Sequence, residues 1–179
     1  MRKVIRITAL FVVFALFFSC TSQRDKDIKS ISRLEKELEK EAARPDPQKL
    51  TRLLESYLAF VDKNAADTAA PDYLYKAINL CIGVNNGQQA MQLIDRTLNE
   101  FPESKYLATT VFLKGYVYEN LLGDYGQATK MYSVFLKKYP THDLADDAEA
   151  ALKYMGKSPE ELVREFEAAR SAAQAGKTK

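Results

Sequence analysis

The sequence predicts an all-α fold, an antiparallel helix-hairpin solenoid with about two clear hairpins and flanking capping helices. Apolar residues recur at helical spacing along most of the chain, and the near-identical phrases Phe101-Pro102-Glu103-Ser104 and Tyr139-Pro140-Thr141-His142 bracket the block 101–140. A shift of 38 positions lays Ala77 on Gly115, Gln89 on Gln127, Ala90 on Ala128, Leu98 on Leu136, Phe101 on Tyr139 and Pro102 on Pro140. A period of that size over paired helices marks stacked hairpins, each burying its apolar faces on its neighbours. Composition agrees: only seven Gly, aromatic content carried by ten Tyr and nine Phe, and few alternating β-branched runs.

Residues 1–20 place Arg2, Lys3 and Arg6 before an apolar run from Ala9 to Phe18, then Ser19-Cys20. That order is a secretory signal, and the run is short for a transmembrane span. Cys20 at the end of the apolar run resembles a bacterial lipoprotein signal. The resemblance implies cleavage in front of Cys20 and its acylation, with membrane attachment through the buried chains. Residues 21–30 are polar and read as a tether. Residues 28–42 set Ile28, Ile31, Leu34 and Leu38 in one stripe among charges. This reads as a solvated spacer helix, with a short coiled coil as the alternative, because fewer than three heptads are present.

Arg44-Pro45-Asp46-Pro47 interrupts the helix; Asp46 is an expected N-cap and Pro47 a permitted first-turn residue. Residues 48–63 form an amphipathic helix that aligns with 88–104 when Phe60 is laid on Phe101. Residues 64–70 are a loop before Pro71. The next helices span 72–84 and 88–101, turned at Asn85-Asn86-Gly87. In the block 101–140, Ser104 is expected to cap the first helix, Leu122-Gly123-Asp124-Tyr125-Gly126 turns the chain, and Pro140 ends the second helix. Residues 143–155 form an Ala-rich helix stopped by Gly156. Ser158-Pro159-Glu160-Glu161 opens a final helix over 159–173 through a capping box, with a polar outer face suited to a terminal cap. The end, 176–179, is expected to be a disordered tail.

Gly115, Tyr118, Ala128, Tyr132 and Pro140 fall in the pattern of a tetratricopeptide repeat (TPR), and Ala77, Leu80, Ala90, Ile94 and Pro102 form the second copy. Small residues let the paired helices approach, aromatics fill the space beside them, and Pro stops the helix. The punctuation and the Gly-Asp-Tyr turn are most similar to TPRs of cell-envelope proteins, the barrel-assembly lipoprotein and the periplasmic TPR partner of the Tol–Pal system. The expected organisation is a signal peptide over 1–19, a lipidated tether with a short charged helix over 20–44, and a TPR-like domain over 45–175.

Several function classes find no foothold in the residues. The formal net charge is +2, but setting aside Arg2, Lys3 and Arg6 lowers the basic residues from 26 to 23 against 24 acidic ones. That balance gives no support to nucleic-acid binding. There is one His, His142, and one Cys besides Cys20, Cys81. No Cys/His cluster has metal-ligand spacing and no Gly-rich loop cradles a phosphate. His142 reads as a solvated turn residue and Cys81 as a small buried hydrophobe. No catalytic residue, cofactor or metal is expected.

The TPR resemblance implies a ligand-facing concave surface made by the first helix of each hairpin. Carried over by position, it comprises Thr109, Phe112, Tyr116, Glu119 and Asn120 in one hairpin and Leu74, Ile78, Cys81 and Ile82 in the other. Phe112 and Tyr116, one turn apart, are the expected aromatic anchor for a peptide or partner helix unless flanking helices cover them. The function expected is that of a non-enzymatic adaptor of the bacterial envelope, lipid-anchored at the outer membrane facing the periplasm, with envelope proteins or peptide segments as partners. Outer-membrane assembly, Tol–Pal or wall-synthesis coordination, and a self-associating spacer built through 28–42 stay open, as does the oligomeric state.

Overall fold

The computed structural model describes residues 23–175, and every regular element among them is an α-helix. The described part of α1 covers 23–40. It is followed by α2 (Pro47–Lys63), α3 (Ala70–Gly83), α4 (Gly87–Glu100), α5 (Leu107–Asn120), α6 (Tyr125–Lys138), α7 (Ala145–Tyr154) and α8 (Pro159–Ala175). The chain divides into two compact units between Val84 and Asn85. The signal sequence, Cys20 and the tail 176–179 lie outside the described residues.

Unit 1 holds α1, α2 and α3. Here the sequence reading needs correction, because α1 is neither tether nor solvated spacer. Ile31 and Leu38 are buried, and Ile28 and Leu34 are half-buried, so the short apolar stripe is spent inside the unit. Polar contacts fix its register. Glu35 accepts hydrogen bonds from the Tyr57 hydroxyl at 2.8 Å and from the Lys76 ammonium at 2.7 Å. Arg24 forks onto Asp67, with Nη2 donating to Oδ1 at 3.1 Å, and Lys49 pairs with Glu41. Tethering a helix at both ends and the middle makes two short hydrophobic contacts sufficient to hold it, which a heptad count could not register. Asp46 caps α2 as expected, accepting from Gln48 N at 2.9 Å.

Unit 2 holds α4 to α8. Gly87 at the start of α4 lies against Leu121 and Leu122 at the end of α5, while Lys114 Nζ meets Asp95 Oδ1 at 2.6 Å, so the two helices run antiparallel. Between α5 and α6, Phe112 contacts Phe135 and Tyr132, Gly115 faces Tyr132, and Glu119 accepts from the Tyr132 hydroxyl at 2.8 Å. That too is an antiparallel pair. Its turn depends on Gly123 at φ +67°, a left-handed residue where a Cβ would be strained, followed by Asp124, whose side chain accepts from Gln127 N at 2.9 Å. Ala128, Tyr132, Phe135 and Ala148 form the buried core, and α7 adds Ala151, Leu152 and Met155 to it.

The Ser158–Glu161 capping box is reciprocal, with Glu161 N donating to Ser158 Oγ at 3.2 Å and Ser158 N to Glu161 Oε2 at 2.8 Å. The exposed surface of α8 is largely charged, with Glu160, Glu161, Arg164, Glu165, Glu167 and Arg170 all exposed, but it also carries Val163 and Phe166, both more than half exposed. The Tyr154 ring lies against Phe166 at 5.7 Å between centroids.

Candidate partner-binding face

The local geometry repeats with more fidelity than the sequence. Each of α2, α4 and α6 ends on a residue in the same conformation: Asn64 (φ −132°, ψ 43°), Phe101 (−129°, 56°) and Tyr139 (−134°, 56°). Three residues on, Asp67, Ser104 and His142 donate their N–H groups back to these three carbonyls at 2.9, 3.0 and 3.2 Å. The same three side chains accept the N–H two residues later, from Ala69 at 2.9 Å, Tyr106 at 3.2 Å and Leu144 at 3.1 Å. Their carbonyls then receive Ala70, Leu107 and Ala145 at 3.0, 2.9 and 2.8 Å, starting the next helix. Aspartate, serine and histidine share nothing but a short acceptor at the right reach, so residue similarity conceals the equivalence.

Two sequence expectations change accordingly. The leading copy aligns through Asn64 on Phe101, not Phe60 on Phe101. In that register Leu53, Ala90 and Ala128 share a buried position, as do Tyr57, Ile94 and Tyr132, and Phe60, Thr97 and Phe135. Ser104 turns the chain into α5 but does not cap it, since α5 has Tyr106 at its N-cap and no side-chain cap bond. His142 is not a solvated turn residue. It is half-buried, its Nδ1 accepts from Leu144 N, and its ring stands edge-on to Phe135 at 5.4 Å between centroids.

The tight centre of unit 2 is Gly115 against Tyr132. A Cβ built on Gly115 would lie 2.9 Å from two carbons of that ring. Tyr132 is 1% exposed, and burial, reinforced by the hydrogen bond to Glu119, pushes its phenol above the ordinary tyrosine range. Tyr57 in unit 1 shows the same pairing with Glu35 and the same upward shift, again led by burial.

Against this frame the expected ligand-facing residues separate into surface and core. Tyr116 is 36% exposed and Asn120 is exposed, its Nδ2 donating to Tyr116 O at 3.1 Å. Thr109 is half-buried, and Glu119 is half-buried with one oxygen committed to Tyr132. Phe112 is not an exposed anchor. Its ring packs 5.4 Å from Tyr132 and 5.5 Å from Phe135, because α5 is flanked by α4 on one side and α6 on the other and presents apolar residues to both. Leu74, Ile78 and Cys81 are completely buried and Ile82 half-buried, so the α3 set offers core and not surface. Burial also pushes the Cys81 thiol up to about 11, which leaves it protonated and inert at neutral pH.

Lys114 stands where an apolar residue usually precedes the TPR glycine; its half-buried side chain ends on Asp95. Among the described residues no group of three His, Cys, Asp or Glu side chains could hold a metal ion, and no helix is long and apolar enough to cross a membrane. The chain matches no known protein-family model, and no curated protein is similar to it.

Proposed function

We propose that the chain is a membrane-anchored TPR-type adaptor of the bacterial envelope. It holds partner proteins or peptide segments and turns over no substrate. The observation that carries the reading is the junction repeated after α2, α4 and α6, joined in unit 2 to the Gly115–Tyr132 contact. A scaffold whose helices are re-aimed by the same hydrogen-bonded turn each time is built to present helix faces, and its residues are spent on packing and not on convergent polar groups. Cys20, after the basic and apolar segments, supplies the anchor in this reading. Tyr116 and Asn120 on α5 form the docking face, in place of the Phe112–Tyr116 pair.

Cross-linking followed by capture from native membranes tests the proposal, comparing wild type with Tyr116→Ala/Asn120→Ala. Recovery of one defined envelope complex by wild type and its loss in the variant is the expected result. Equal recovery by both removes the face. The partner recovered separates outer-membrane assembly from Tol–Pal or wall-synthesis coordination. Self-association through 28–42 has lost its support, since Ile31 and Leu38 are buried within unit 1.

A further inference from the structure

Helix α1 has a second face. Its buried side holds Ile31, Leu38 and the Glu35 contacts to α2 and α3. On the opposite side Lys26, Lys29, Arg33, Lys36 and Lys40 follow at spacings of three and four, all exposed, Arg33 over 82% of its side chain. At 100° per residue these five fall within about a quarter of the helix circumference, and at 1.5 Å per residue they span roughly 20 Å. Two acids flank the stripe, each about 20° beyond its edge: Glu37, which Arg33 Nε holds at 2.9 Å, and exposed Asp25, which Arg24 Nη1 meets at 3.4 Å. Set against the five cations, they leave three in excess. Side chains of this face line an open, shallow depression of about 700 Å³.

We infer that this stripe lies on an anionic membrane surface and binds lipid phosphate headgroups. The inference rests on the anchor reading in one respect: Lys26 follows Cys20 by six residues, so a lipid on Cys20 would hold the stripe within reach of the headgroups. The chemistry of the face selects the occupant. A row of four flexible ammonium groups and one guanidinium on a single exposed helix face suits a diffuse planar array of anions better than a protein surface. Docking of the opposite face on α2 and α3 prevents the helix from rolling, so all five cations point outward together. A single acyl chain gives reversible attachment, and a basic patch supplies the second signal that makes attachment stable. Each basic residue adds roughly fivefold to membrane affinity near an anionic surface, so the net stripe is worth roughly two orders of magnitude.

The test uses the full chain isolated from membranes and mixed with vesicles of phosphatidylcholine alone or of phosphatidylcholine with phosphatidylglycerol. A fluorophore on Ser30→Cys, at the margin of the stripe, reports access to an aqueous quencher, and flotation reports attachment. The expected result is flotation with both vesicles but shielding of the fluorophore only on the anionic ones. Shielding should be reversed by salt and abolished by Lys26→Gln/Lys29→Gln/Arg33→Gln/Lys36→Gln, whose exposed sites leave the helical spectrum unchanged. Flotation with both and equal quenching overturns the stripe while keeping the anchor. Flotation with anionic vesicles alone supports the stripe and overturns the anchor, and flotation with neither overturns both. Shielding by soluble polyglutamate or single-stranded nucleic acid, but not by anionic vesicles, also overturns the assignment.

Discussion

Gly115→Ala is the sharpest perturbation of the hairpin. Two effects oppose each other. Alanine is favoured over glycine inside a helix by about 1 kcal/mol. The added methyl would sit 2.9 Å from Cδ1 and Cε1 of Tyr132 and 3.2 Å from Cγ, where carbon pairs rest at roughly 3.5–4.0 Å. The ring cannot swing away freely, since it is 1% exposed, lies against Phe112, and ends in the hydroxyl bonded to Glu119 at 2.8 Å. Overpacking of this kind costs about 1–3 kcal/mol, and a lost hydrogen bond to a charged group about 1.5–3 kcal/mol more if the ring is displaced. Steric cost outweighs propensity, and the variant should be destabilised by about 1–3 kcal/mol in urea unfolding followed by circular dichroism. In a Tyr132→Leu background the same alanine meets no ring and should be neutral or stabilising, giving a coupling of about 2 kcal/mol. A Gly115→Ala protein as stable as wild type, or additive changes in the double variant, would refute the reasoning.

Other residues give independent checks. His142→Ala should cost about 1–2 kcal/mol through the unpaired Leu144 N–H and the lost edge contact on Phe135. His142→Asp, which installs the residue that does the same work at position 67, should recover most of that loss in the same urea titration. Asp67 is held below the usual carboxylate range by the Arg24 guanidinium first and by the N–H of Ala69 second. Its folded pKa lies below the unfolded value, so its contribution is complete above about pH 4 and fades as pH falls through the folded value. Asp67→Asn should therefore be less stable than wild type at neutral pH and converge with it in acid, and a difference constant with pH would contradict the pairing. Cys81 should resist iodoacetamide at pH 8 in the native protein and react on unfolding, as read by mass spectrometry; native labelling at the unfolded rate would show that the thiol is not buried.

The helices were legible because their ends are written in local chemistry. Asp46-Pro47, Asn85-Asn86-Gly87, Gly123-Asp124 and the Ser158–Glu161 box each act within a few residues, and α2 through α8 begin and end close to where those signals place them. The role of α1 was not legible, since its anchoring depends on Glu35 reaching Tyr57 and Lys76, and Arg24 reaching Asp67, across separations no periodicity contains. The third copy of the junction was hidden for a related reason. Its identity lies in backbone angles and acceptor reach, and Asp67, Ser104 and His142 are dissimilar as residues. In the candidate face, Tyr116 and Asn120 were placed by repeat position alone. Whether Phe112 is anchor or core was left open in the sequence; it packs on Tyr132 and Phe135 because α5 is packed on two sides, which leaves its sequence without a clear polar face to read.

Site-specific photocross-linking in intact cells addresses the adaptor reading most directly. A photoreactive side chain at Tyr116 or Asn120 on α5 is compared with one at Thr129 or Ser133, exposed on α6. The account predicts a defined protein adduct from the α5 positions and none from the α6 positions. Adducts of equal yield from both helices, or from neither, would contradict it.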